Sequence, residues 1–166
     1  MIALLAVILA PEHLVVISCL FGWLLLALCL HDWMTYRLPD YLTLCLAGLG
    51  LFMVWRHFPS SWYAHLLGGV IAYATFRFVE AAYLKLKGRH GLGRGDTKLF
   101  GAVGIWIGMS GLAPALLIAS TGALCHVLVT TSGSGTQLKP THKIAFGPWI
   151  AAGAFLTWLW QIMAGG

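Results

Sequence analysis

Charge is what this sequence has least of. Only five of its 166 residues are acidic and ten basic, 9% in all, while 60% are hydrophobic. An ordinary soluble domain is about half apolar and about a quarter charged. Five carboxylates cannot keep the surface of a globule this size in water, so the solvent for most of the chain is lipid. Paired cysteines are lacking too. Cys19, Cys29, Cys45 and Cys125 stand singly inside apolar runs, with no Cys-x-x-Cys among them. That removes a zinc site and a disulfide framework and predicts buried, inert thiols. No basic stripe interleaved with aromatics lies on a polar background, which excludes a DNA or RNA partner. The net charge of +5 instead suits loops facing anionic headgroups. No pair among the seven histidines has the spacing of a helical metal site. The expectation is that no metal or organic cofactor is needed.

What the sequence has in abundance is apolar runs long enough to cross a bilayer, which takes about 20 helical residues. Six are read, at roughly 14–33, 41–57, 62–84, 97–110, 112–131 and 144–163. The expectation is an all-α, polytopic membrane protein of about six transmembrane helices, a single domain over residues 1–166. Residues 1–10 are apolar and end at Pro11, without the basic start or the cleavage site of a secretory signal. They read as an extension of the first helix or as an interfacial segment. The Thr130–Gly135 stretch reads as a Thr/Ser/Gly linker. The eight tryptophans, mostly near span ends, read as an aromatic belt.

Basic residues set the orientation. Arg37 follows the first span; Lys85, Lys87, Arg89, Arg94 and Lys98 surround the break between the third and fourth; Lys139 and Lys143 precede the sixth. Eight of the ten cations thus share one side, expected to be cytoplasmic, with both termini outside. Arg77 and Glu80, three residues apart on one helical face, read as a snorkelling ion pair.

Ionisable groups near a membrane core are costly and therefore point to function. Glu12 falls at the outer end of the first span; Asp32, Asp40 and Asp96 fall on the basic side. Asp32 is still within its apolar run, whereas Asp40 follows Pro39 and reads as the N-cap of the second span. Asp96 stands in Gly93-Arg94-Gly95-Asp96-Thr97-Lys98-Leu99, where the apolar run resumes, again an N-cap position. Gly93 and Gly95 permit close backbone approach or positive φ, so something passes near this turn. Each cluster alone is ambiguous between capping or hydration and catalysis.

Together they resemble one family. Asp32 with Pro39-Asp40, Gly93 to Leu99, the glycine-rich run from Gly101 to Gly108, and Phe146-Gly147-Pro148 match, in order, the bacterial prepilin peptidases, relatives of the archaeal preflagellin peptidases among the Gly-x-Gly-Asp intramembrane aspartic proteases. The resemblance implies a multi-pass protein of the bacterial inner membrane with its active site facing the cytoplasm. Asp32 and Asp96 would be the catalytic pair, with Gly93, Gly95, Lys98 and Pro39 shaping the site or the approach of substrate. The implied substrate is a prepilin or pseudopilin carrying a short basic leader before a hydrophobic helix. Many family members carry an N-terminal four-cysteine zinc loop associated with N-methylation. This chain lacks those paired cysteines and resembles the short, peptidase-only form, without a zinc or methyltransferase portion.

Two carboxylates close together share a proton, which supplies both an acid and a base for peptide hydrolysis. Helix position predicts Asp96, at a helix start, as the charged member and Asp32, near a helix end, as the protonated one. The rival readings are a non-enzymatic transport or secretion-assembly subunit and a peptidase for flagellin-like substrates. Leader cleavage separates the first of these from a peptidase.

Overall fold

The structure, a computed structural model, describes residues 2–35, 38–88, 93–134 and 146–164, leaving out the side chains of 2–5 and 131–134. Arg37, Arg89, Lys139 and Lys143, on which part of the orientation rests, lie outside the described residues. Among the described residues the regular elements are all helices: α1 (Ile2–Leu9), α2 (Glu12–Thr35), α3 (Asp40–His57), α4 (Trp62–Lys87), α5 (Arg94–Ser134) and α6 (Gly147–Ala164). The N-terminal run is a separate short helix, since Pro11 follows it and its predecessor is pushed out of helical conformation.

By length and composition α2 and α5 can cross a membrane, with mean hydropathies of 2.4 and 1.9. Every longer helix also turns large apolar side chains outward, such as Trp23, Leu44, Val70, Leu117 and Trp160. Apolar surface on all sides of a bundle is what lipid requires and what water does not tolerate. The chain is an all-α membrane protein. Cys45 and Cys125 lie on this outer surface rather than in the core, and Cys19 and Cys29 are half-buried.

α5 is two helices. Gly108 takes φ 62° and ψ −176°, a conformation open to glycine and strained for other residues. The chain reverses there. Before the break α5 climbs from Asp96; after it, Gly111 meets Gln161 near the end of α6, and Gly122 meets Trp149 near its start. The two spans read at 97–110 and 112–131 therefore exist, as the arms of a hairpin closed by one residue. Carbonyls freed by the break find partners: His65 Nδ1 donates to the Ile105 carbonyl (2.9 Å) and Gln161 Nε2 to that of Ile107 (2.9 Å). The second arm runs on to Ser134, so the stretch taken as a linker continues the helix as far as that residue.

The first arm of α5 is the axis of the bundle, packed by α3, α4 and α6. Lipid offers no hydrophobic drive between helices, so close backbone packing matters more. At the α4–α5 crossing a Cβ on Gly68 would stand 2.6 Å from the Gly104 carbonyl oxygen, and one on Gly104 2.5 Å from that of Gly68. Gly104→Ala is expected to push the two helices apart and lower stability by about 1–3 kcal/mol, the usual cost of overpacking. Unfolding of the purified protein in mixed micelles measures it. Two of the tryptophans assigned to the belt are instead core residues. Trp106 stacks on Phe21 (4.2 Å between centroids) and donates to the Leu46 carbonyl at 2.8 Å; Trp158 donates to Ser18 Oγ at 2.9 Å. Trp23, Trp33, Trp55, Trp62 and Trp160 do face outward.

Candidate active site

Asp32 lies three residues before the end of α2, buried at 5% exposure. What faces it is the start of α6. The Gly147 backbone N–H is directed at the Asp32 carboxylate, and a Cβ on Gly147 would stand 2.6 Å from Oδ2. Oδ2 is itself buried without a hydrogen bond to any described group. A buried carboxylate oxygen left unpaired is unusual, and such groups gather where chemistry is done.

Asp96 comes from another helix, α5. It is the third residue of α5 rather than its cap: the helix opens at Arg94 and Gly93 precedes it. From there the carboxylate reaches back to the Gly93 N–H, as the third helical residue does in a capping box. Burial is nearly complete at 9%. Asp32 lies near enough for its charge to act on Asp96.

Both line a cavity of about 350 Å³ with Leu38, Asp40, the turn from Gly93 to Gly95, and Lys98. A second cavity of similar size lies at the other end of the bundle, against the Gly108 break, lined in part by His13, His57 and His65 and by no carboxylate. Along α2, His13 in the one cavity and Asp32 in the other stand about 28 Å apart at about 1.5 Å per residue.

Gly93 and Gly95 are indeed approached closely, but by the protein itself. A Cβ on Gly93 would lie 3.0 Å from Asp96 Oδ2, and one on Gly95 2.9 Å from the Leu38 side chain. Neither has positive φ, which among the described residues belongs to Gly88 and Gly108. Pro39 precedes α3 with φ −72° and ψ 131°, taking the cap position expected of Asp40. Its carbonyl accepts from the Thr43 hydroxyl at 3.1 Å, and it does not line the cavity. Asp40 is the first helical residue, and its carboxylate pairs with Lys98 Nζ at 2.6 Å. Lys98 thus ties α5 to α3.

Three residues at or beside the site were not singled out from sequence. Leu38 fills the space beside Gly95. Gly147 was visible in its Phe-Gly-Pro motif, yet nothing in the motif says that it meets Asp32. Glu80 was read as half of a snorkelling pair with Arg77. Its side chain is instead 3% exposed, and besides Arg77 it meets Arg94 Nε at 3.7 Å. The expected asymmetry of the aspartates also loses its ground. Asp32 is near the C-terminal end of its own helix but faces the N-terminal end of α6, so both carboxylates adjoin a positive helix end.

Among the described residues no group of three or more His, Cys, Asp and Glu side chains is arranged to hold a metal ion. The arrangement can bind a water and a carbonyl between two carboxylates.

Residues 19–128 match the type IV leader peptidase family. The chain is 34% identical over 164 residues to the prepilin leader peptidase/N-methyltransferase of Escherichia coli K12, covering 95% of this chain and 72% of that protein. To the proteins of the same name from Aeromonas hydrophila and Pectobacterium carotovorum it is 34% and 35% identical over 157 and 130 residues. The alignments cover 93% and 78% of this chain but only 53% and 46% of those relatives, about half their length. No solved structure matches the chain.

Proposed function

The chain belongs to the type IV leader peptidase family, and from that premise we propose that it is an intramembrane aspartic endopeptidase that removes the leader from a prepilin or pseudopilin. The observation that carries this reading is that Asp32 of α2 and Asp96 of α5 line one cavity. A transport subunit needs no such pair.

Asp32 and Asp96 hold one proton between them, because two adjacent charges are costly in a poorly hydrated site. The ionised partner takes a proton from a water whose oxygen attacks the scissile carbonyl carbon. The protonated partner gives its proton to the carbonyl oxygen, forming a gem-diol. Collapse re-forms the carbonyl and breaks the C–N bond. The leaving nitrogen takes its proton from the partner that had removed one from water, and one diol proton returns to the partner that had given up its own, which restores the resting pair. Atoms and charge balance with water as the sole co-reactant, so this route needs no cofactor.

The substrate lies with its leader in water and its hydrophobic helix in lipid beside the bundle. In the proposed orientation the Asp32–Asp96 end faces the cytoplasm of a bacterial inner membrane. Lys85, Lys87, Arg94 and Lys98 gather at that end, and Arg56 at the other, as the positive-inside rule requires. Cysteines placed at Lys87 and Ser60 in a background freed of native thiols test it. The first is expected to label from the cytoplasmic side only and the second from outside only. The reverse pattern inverts the topology. The activity is tested by co-expression with a prepilin, where the mature form is expected to appear only with the active chain. An uncut prepilin alongside correctly inserted protein refutes the reading.

A further inference from the structure

Three carboxylates are buried among the described residues: Asp32, Asp96 and Glu80. The mechanism uses two. Burying the third near lipid is expensive unless its charge is met by partners, and the partners it has are informative. Arg77 Nη1 lies 2.5 Å from Oε2, within the same helix. Arg94 Nε lies 3.7 Å from Oε1, across from α4 to the first residue of α5. Arg94 lines the active-site cavity and stands two residues before Asp96. Its neighbours Gly93 and Gly95 have no side chains, so Arg94 is the only side chain from Gly93 to Gly95 that can anchor the turn to α4. One turn later, Lys98 holds the same helix start to α3 through Asp40.

We infer that Glu80 is a positioning residue for the reaction: through Arg94 it fixes the first turn of α5 so that the Asp96 carboxylate faces Asp32. Lys98 and Asp40 act as a second tether. Glu80 is the fixed end of its own tether, because its side chain is buried and cannot follow Arg94 outward. Losing it lets the start of α5 shift. Misplacement of a reacting group by about 1 Å costs on the order of a hundredfold in rate.

This inference rests on the proposed peptidase reading, and cleavage of a purified prepilin by the unaltered chain in detergent tests that reading separately. Glu80→Gln and Arg94→Gln are each expected to lower kcat about 10- to 100-fold with little change in KM. The double variant is expected to be no slower than the worse single one, because both break one tether. Arg94→Lys is expected to recover part of the loss. A second readout needs no substrate. The Thr97 N–H, bonded to the Gly93 carbonyl at 3.4 Å, is expected to exchange with solvent about tenfold faster in Glu80→Gln or Arg94→Gln. If Glu80→Gln does not insert, Arg94→Gln decides alone, since that side chain is largely exposed and its loss does not threaten folding. Wild-type kcat in Arg94→Gln, multiplicative losses in the double variant, an effect on KM alone, or unchanged Thr97 exchange would each overturn the inference.

Discussion

Asp96→Asn and Asp32→Asn are each expected to reduce leader cleavage by at least about a hundredfold, and up to about ten-thousandfold, while the protein accumulates in the membrane at its normal level. General acid–base catalysis by one positioned group is worth about 10²–10⁴. Asparagine keeps the size of aspartate and much of its hydrogen bonding but neither takes nor gives a proton. Because the pair holds a proton jointly, the double variant is expected to be little worse than either single one. The check is a time course of prepilin conversion with purified variants, alongside protein abundance in the membrane. Asp40→Asn is the comparison within the same cavity. Its carboxylate pairs with Lys98 in an exposed position, and losing such a pair costs at most about 1 kcal/mol. A mild effect there with full loss at Asp32 and Asp96 separates chemistry from the general acidity of the cavity. Robust cleavage by either Asn variant of the pair would remove the dyad.

Gly147→Ala is expected to cost on the order of a hundredfold in cleavage rate with the fold retained. The added methyl would stand 2.6 Å from Asp32 Oδ2 and 3.1 Å from its Cγ, well inside contact distance. Either the carboxyl rotates away or the start of α6 moves, and both change where Asp32 points relative to Asp96. Gly48→Ala supplies the control, since a Cβ there meets nothing within 4 Å, and it is expected to be neutral. Single-turnover cleavage distinguishes a slowed chemical step from slowed product release. A wild-type rate in Gly147→Ala would mean that α6 does not hold Asp32 in place.

The helices were largely legible because membrane crossing imposes a blunt rule, about 20 apolar residues per span, and the chain has almost no charge to blur it. Even the two arms of α5 were legible, as separate spans read at 97–110 and 112–131. With five acids in the chain, each one in or beside an apolar run stands out as a candidate, and the order of the motifs around Asp32 and Asp96, matched to a family, is what singled out these two. Local conformational detail was less so. Asp40 and Asp96 were both read as caps, but Pro39 and Gly93 precede the helices and leave the aspartates inside the first turn, free to reach Lys98 and back to Gly93. Glu80 beside Arg77 satisfied the spacing of an ordinary helical pair, which made a third partner from another helix invisible.

By itself, then, the sequence determined the solvent and the helical character, since these follow from composition and from the length of the apolar runs, and its resemblance to a family is what proposed Asp32 and Asp96 as a pair. Only the tertiary structure decided which groups surround them. That Gly147 rather than a side chain abuts Asp32, that Gly95 makes room for Leu38, and that Glu80 holds Arg94 are contacts between helices far apart in the chain. Helix periodicity says which way a side chain faces and nothing about what stands opposite. In lipid that choice falls to backbone fit, as at Gly68 and Gly104, and to the few polar groups that must find one another.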